Sequence, residues 1–310
     1  MQLAIGIDLG GSHITAVMVD ESGAVLARCG NPVVQHDFDT VFAAMIESAK
    51  TVMAAVPDCS TLIQAVGLGI PGNVDPRDGA TRYLPSFPWG RIEIGKLFET
   101  QLQLPVIMRN DGRCAAIAES RLGSGRRSRI FALLTLGTGI GGALIIDGKL
   151  FDGATFDAGD FGHHTIHGGA NGFPCVCGKS GCFEMHAAAQ GLVRHYQKQG
   201  GSSADNAAQV MEKYRQGEDK ARTAFACYLD DLSTGLANLV TFYNPDTIAV
   251  GGGLSHAPEV FENIHALVDA KTLPASRNFV KIVPATLGQD AGAIGAGLLA
   301  LSSQPAATSL

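Results

Sequence analysis

The run Cys175-Val-Cys177-Gly-Lys-Ser-Gly-Cys182-Phe-Glu184 gathers three of the chain's seven cysteines into residues 175–182. A histidine-rich stretch with His163, His164 and His167 lies just upstream. Three thiolates and one imidazole make the ligand set of a closed, four-coordinate zinc site, with no open position for activating a water. Spacing does not choose among the three imidazoles, so His163, His164 and His167 are rival ligands. Glu184 stands two residues beyond Cys182, where a bound zinc would fix its backbone. The other cysteines, Cys29, Cys59, Cys114 and Cys227, are scattered, as expected of reduced thiols in a cytosolic protein.

A second chemistry is written in glycine. Asp8-Leu-Gly10-Gly11-Ser12 is a turn that leaves backbone N–H groups unpaired, and glycine lets a phosphate approach them closely. One such turn is most often only a turn. The pattern returns at Thr135-Leu-Gly137-Thr138-Gly139: side by side, Asp8 meets Thr135, Gly10 meets Gly137 and Asp20 meets Asp147. This reads as an internal duplication, one β-hairpin phosphate loop per half, the two gripping a polyphosphate across a cleft. Neither copy is a Walker A or a dinucleotide fingerprint, since the lysine and the G-x-G-x-x-G spacing are absent. Asp8, at a strand end, is placed to hold Mg²⁺ through water. Asn110-Asp111 ends another strand, where an aspartate can take a hydroxyl proton during phosphoryl transfer. In isolation the same residues read as a turn or a helix N-cap. Asp160, His163 and Glu184 add further groups able to bind a polyol.

Those residues need elements to hold them. Strands are predicted at 3–7 and 13–19, with a hairpin turn before 24–27. Residues 40–55 are apolar at helical spacing. Strands follow at 65–69 and 104–108, then a helix over 112–121. Strands at 131–136 and 140–146 repeat the opening. Helices are read at 184–198 and 221–242, separated by the loop 199–206. A strand over 247–250 runs into Gly251–Gly253, and a Gly/Ala-rich helix, 291–301, closes the chain.

The 310-residue length and 46% apolar content suit two domains or one large α/β unit. A net charge of −6 argues against bulk nucleic-acid binding, and Arg121, Arg126, Arg127 and Arg129 read as a solvated loop. Residues 130–146 are uncharged but short and glycine-rich, a pair of buried strands rather than a membrane helix. Asp8 interrupts the first apolar stretch and no basic segment precedes it, so no signal peptide is expected and a cytoplasmic location is.

In order along the chain, Asp8-Leu-Gly-Gly-Ser12, Gly69-Ile-Pro-Gly72, Asn110-Asp111, Leu136-Gly-Thr-Gly-Ile-Gly-Gly142, Gly162-His163, Cys175-x-Cys-Gly-x-x-Gly-Cys-x-Glu184 and Gly251-Gly-Gly253 resemble the ROK family (repressors, open reading frames, sugar kinases). The likeness spans essentially the whole chain; the cysteine signature and the Leu-Gly-Thr-Gly loop are its specific parts. It implies an α/β, two-domain actin-like ATPase (ribonuclease H-like) fold with duplicated β-hairpin phosphate loops and an active-site cleft between domains. Residues 1–112, completed by helix 291–310, would form a small N-terminal domain, and 113–290 a large one carrying zinc. The implied activity is ATP-dependent phosphorylation of a hexose at the 6-hydroxyl, glucose or a close relative, with an N-acetylhexosamine kinase or a fructokinase as alternative.

By the same resemblance Asp111 is the catalytic base, and Asn110, Asp111, Gly72, Asp160, His163 and Glu184 bind sugar. Asp8, Gly10, Gly11, Ser12, Thr138 and Gly139 hold the phosphates of ATP with Mg²⁺, and Gly252 and Gly253 lie against adenosine. His163, Cys175, Cys177 and Cys182 hold a structural Zn²⁺, with the second nitrogen of His163 turned to the sugar. A homodimer is implied as well, and so is closure of each chain's two halves on hexose and nucleotide. Three departures from the family pattern bear on which sugar is used: Asp160 where glutamate is usual, Ser12 where threonine is commoner, and Pro85-Ser86-Phe87-Pro88-Trp89 where an asparagine amide would face the sugar. Two other readings fit less well. A sugar-responsive repressor needs a helix-turn-helix ahead of the first phosphate-loop strand, which here begins at Leu3. A free-standing zinc module needs residues 155–190 to fold alone.

Overall fold

The computed structural model describes residues 1–84, 86–202 and 205–302. Pro85 of the departing motif and the end of the helix expected over 291–310 lie outside them. The strands are β1 (Leu3–Leu9), β2 (His13–Asp20), β3 (Val25–Pro32), β4 (Ile63–Ile70), β5 (Asn73–Asp75), β6 (Ala80–Tyr83), β7 (Val106–Asn110), β8 (Ile130–Leu136), β9 (Ile140–Ile146), β10 (Lys149–Leu150), β11 (Thr247–Gly251) and β12 (Lys281–Pro284). The helices are α1 (Phe38–Ala54), α2 (Ile94–Leu102), α3 (Asp111–Arg121), α4 (Phe183–Ala187), α5 (Ala189–Lys198), α6 (Ala207–Arg215), α7 (Asp219–Tyr243), α8 (Glu259–Glu262), α9 (Ile264–Lys271) and α10 (Ala291–Ser302).

The chain divides into two compact units. The first holds Met1–Arg126, Lys149–Ala158 and the chain from Leu287 onward; the second holds Arg127–Gly148 and Gly159–Thr286. In the first, the strand order is β3-β2-β1-β4-β7, with β1 antiparallel to β2 and parallel to β4. In the second, β9-β8-β11-β12 repeats that connectivity, with β8 antiparallel to β9 and parallel to β11. The duplication is therefore a duplication of topology. Its register differs from the sequence alignment. Leu9 pairs with Ile14 but Leu136 with Ile140, so the second loop is one residue shorter and Asp20 corresponds to Ile146, not Asp147.

Strand periodicity explains how the first unit is covered. Leu3, Ile5, Ile7 and Leu9 point into a core shared with Met45, Ala49 and Val52 of α1. The opposite face of β1 presents Gly6 and Asp8 to α10. A Cβ on Gly6 would overlap the Ala293 carbonyl oxygen, and one on Gly67 of β4 the Ala296 carbonyl oxygen. The C-terminal helix thus lies directly on sheet backbone. In the second unit α7, 25 residues long, carries Tyr228, Leu232 and Leu236 into a core with Phe183 and Leu192.

Several expectations are corrected. The first unit runs to Arg126 rather than 112, because α3 packs on α10. Segment 149–158 also belongs to it: Arg113 Nη2 donates to Ala158 O at 3.0 Å, and Arg109 pairs with Asp152 at 3.3 Å. The chain leaves the second unit after Thr286, not 290. The helix expected over 184–198 breaks at Ala188, whose ψ of 177° is extended, giving α4 and α5. Helix α6 was not expected, although its capping box, Asn206-x-x-Gln209, is a readable start signal.

The contact of α10 with β4 is tested by Gly67→Ala. A methyl driven into a helix carbonyl should cost about 3 kcal/mol or more, read as a lowered denaturant midpoint at unchanged slope.

Candidate active site

In the first unit the geometry centres on two carboxylates. Asp8 stands at the end of β1 on the α10 side. A Cβ on Gly292, at the start of α10, would lie 2.5 Å from Asp8 Oδ2, and one on Gly69 2.9 Å from Asp8 Oδ1 and 3.5 Å from Asp111 Cα. Two glycines thus make room for one carboxylate. Asp111 is the first residue of α3, its Oδ1 accepting from Gly112 N at 2.8 Å. Asn110 caps the helix, accepting from Arg113 N at 3.2 Å, and donates to Gly72 O at 3.0 Å. It is therefore an N-cap and a tether to Gly72 at once, and Gly72 adopts φ 79°. Asp8 is pushed up to about 8, first by burial and then by the charge of Asp111; burial also raises Asp111. Asp8 Oδ1 is buried without a hydrogen-bond partner. A buried, unpaired oxygen beside a second carboxylate fits a hydrated divalent cation, which would cancel the repulsion.

The first loop is held by Gly10 N donating to His13 O at 2.8 Å. Beside it lies a cavity of about 540 Å³, lined by Asp8, Gly10, Ser12, Thr15 and Arg28 among others. Ser86, where the family's amide would stand, lies at this loop: a Cβ on Gly11 would be 3.2 Å from Ser86 Oγ. The neighbouring Trp89 donates to His36 O at 2.8 Å, and His36 in turn sits 3.0 Å from Gly11 O.

In the second unit Glu184 does something the sequence did not indicate. Its Oε2 accepts from Ile140 N at 2.9 Å, and a Cβ on Gly139 would strike the same carboxylate. Glu184 therefore sits on the second glycine loop. Thr138 lines a further cavity of about 540 Å³, with Gly253, Leu254, Ala207, Ala208 and Met211. Its apolar lining suits a nucleobase and ribose. Gly253 borders it. Gly252 is not among its lining residues; it packs with φ 88° against Leu136, whose carbonyl a Cβ would overlap. The wall from α6 was missing from the sequence reading.

The structure resolves the rival imidazoles. His163 joins Cys175, Cys177 and Cys182, with all four ligand atoms within 4.8 Å of one another. His163 Nδ1 faces Cys175 Sγ at 3.8 Å, and Cys177 and Cys182 Sγ are 3.5 Å apart. His164 instead bonds Phe161 O at 2.6 Å, and His167 reaches Asp231 at 2.5 Å. Burial pushes the Cys182 thiol up to about 12 and raises Cys175, whereas the backbone at Lys179 lowers Cys177. Deprotonating three thiols this close takes a cation, and S₃N at these separations fits Zn²⁺. Asp160 is exposed and leads the single 3₁₀ turn that carries His163.

Whole-chain comparisons with known proteins show what the chain is similar to. The ROK family model matches residues 4–303. A glucokinase of Halalkalibacterium halodurans is 32% identical over 313 residues, covering 95% of this chain and 94% of its own. An N-acetyl-D-glucosamine kinase of Pectobacterium atrosepticum is 29% identical over 307 residues, covering 96% and 98%. The crystal structure of a ROK family glucokinase from Streptomyces griseus, in complex with glucose and AMPPNP, superposes with a TM-score of 0.81 at 29% identity, covering 97% of this chain and 100% of that one.

The carboxylate pair makes a pH prediction. Asp8 is raised from 3.8 to about 8, so between those values the folded protein keeps a proton that the unfolded chain releases. Its contribution to stability therefore falls as pH rises through that window. Asp8→Asn should flatten this slope and raise the melting temperature of the ligand-free protein at pH 8 by about 2–4 °C, the response to roughly 1 kcal/mol. Melts of both proteins from pH 5 to 8 check it; parallel curves would refute the assignment.

Proposed function

The chain belongs to the ROK family, and on that premise we propose that it transfers the γ-phosphoryl group of ATP to the 6-hydroxyl of a hexose, glucose or a close relative. The observation that carries the reading is Asp111: a half-buried carboxylate at a strand end, fixed by its own helix start, with its pKa raised by desolvation. A raised pKa makes it a better acceptor for the hydroxyl proton as that oxygen bonds to phosphorus. Asn110 holds the turn that presents it and Gly72 together. Gly11 and Ser12, with Thr138 and Gly139, offer backbone N–H groups and hydroxyls to the phosphates, while Gly10, its N–H given to His13 O, closes the turn. Gly253 and the apolar cavity beside it support a nucleoside donor rather than bare polyphosphate.

Mg²⁺, when bound, offsets charge on the β- and γ-phosphates, and Asp8 is the residue to hold it through water. Zn²⁺, held by His163, Cys175, Cys177 and Cys182, is structural in this reading, since four protein ligands close the site. It braces the segment from His163 to Glu184, whose side chains, with Asp160, are assigned to the sugar hydroxyls. Asp160 is one methylene shorter than the residue usual at its place, and this keeps an N-acetylated hexosamine as the second reading. The proposal extends to a cytoplasmic homodimer, checked by light scattering. Among the described residues no helix is long and apolar enough to cross a membrane.

A coupled ADP-release assay over glucose, mannose, fructose and N-acetylglucosamine tests the reading; no sugar-stimulated turnover would end it. Asp111→Asn should lower kcat by about 10²–10⁴ while hexose binding changes little. Chelation of zinc should raise the hexose KM before far-ultraviolet circular dichroism shows any loss of helix.

A further inference from the structure

Behind the zinc ligands lies a second polar cluster that the reaction leaves unused. Asp231, on α7, is 5% exposed, and three imidazoles converge on it. His167 Nε2 stands 2.5 Å from Oδ1, while His195 Nε2 and His186 Nδ1 stand 3.0 and 3.2 Å from Oδ2. These histidines come from three places: the loop after His163, helix α5 and helix α4.

A metal ion is one candidate for this cluster, because His167, His186 and Asp231 place ligand atoms within 4.8 Å of one another. The far side of His186 argues against it. Phe173 N donates to His186 Nε2 at 3.2 Å, so that nitrogen carries a lone pair and the ring proton sits on Nδ1, toward Asp231. A metal on Nδ1 would force a proton onto Nε2 and set two donors against each other. The cluster is therefore a polar brace around an ionised carboxylate, in which His167 hydrogen-bonds Asp231 while His186 and His195 stand at ion-pair distance from it. Burial opposes that charge, but His186, His195 and His167 hold Asp231 well below the usual carboxylate range.

The brace leads to the sugar-binding segment by short routes. Phe173 O accepts from Gly181 N at 2.9 Å, and Gly181 O accepts from Ile166 N at 2.9 Å. These bonds close the loop whose cysteines hold His163. His186 is two residues from Glu184 on α4. One turn along α7 from Asp231, Gly235 leaves the slot filled by the Phe183 ring, which a Cβ there would strike. Positions 231 and 235 share one helix face. That face fastens α4 twice, by charge at Asp231 and by shape at Gly235.

We propose that Asp231, acting through His186, His167 and His195, is a positioning residue for the hexose: it sets where His163 and Glu184 stand. The inference rests on the kinase reading above. Its test uses the zinc-loaded enzyme and steady-state kinetics in both substrates. His186→Leu should raise the hexose KM about 10-fold or more, the usual reach of a group that orients a ligand, with ATP KM and zinc content unchanged. His186→Gln, whose amide can accept from Phe173 N and donate to Asp231, should recover most of that loss. If the leucine variant does not fold, His167→Ala replaces it, and about a threefold rise in hexose KM is expected. An unchanged hexose KM in the folded variant overturns the proposal, as does an equal rise in both KM values. Two zinc ions per wild-type chain, one of them lost in His186→Leu, would overturn it in favour of a metal site. Absence of sugar-stimulated turnover by the wild type would instead refute the kinase reading, so the two failures are distinct.

Discussion

The first unit depends on the contact of a helix with bare sheet backbone. Helix α10 lies over Gly6 and Gly67 so closely that a methyl on either would meet a helix carbonyl. That approach brings the start of α10, at Gly292, onto the carboxylate of Asp8, and Gly69 admits the same carboxylate beside Asp111. Two acids that burial and mutual repulsion would drive apart are held together by packing. The cost is electrostatic, and it shows in Asp8, which burial and the charge of Asp111 push up to about 8.

The second unit solves a different problem. His163 and Glu184 stand at the two ends of an irregular segment with little regular structure to hold it. Three constraints replace a helix or a sheet: the S₃N ligand set, the backbone bonds that join Phe173, Ile166 and Gly181, and the face of α7 bearing Asp231 and Gly235. Glu184 also bonds the start of β9, so one side chain lies on the second glycine loop while belonging to the cysteine segment.

Much of this was legible beforehand because it is local. The glycine turns, the strand ends at Asp8 and Asn110, and the close cysteine spacing are short-range patterns whose chemistry follows from residue type. The repeat showed itself as self-similarity, yet its register slipped by one residue, because pairing, not alignment, decides which residues face each other: Ile14 answers to Ile140. Helix α6 went unread although its capping box was present, since the polar loop before it obscured a short amphipathic stretch. The first unit's boundary moved to Arg126 because α3 finds its partner, α10, at the far end of the chain.

The sequence by itself determined the chemistry on offer: three thiols with a neighbouring imidazole, two glycine loops, and an Asn-Asp pair at a strand end. It did not decide which of His163, His164 and His167 meets the thiols, since all three stand within a few residues of one another in an irregular loop. Tertiary structure decided that, turning His163 to the cysteines, His164 to a backbone carbonyl and His167 to Asp231. It also decided that Asp8 and Asp111 lie together beside Gly69, and that Glu184 rests on the loop at Gly139. The physical reason is the same in each case. Residue type sets what a group can bond, but burial and approach across tens or hundreds of residues set which partner it gets and what charge it can carry there.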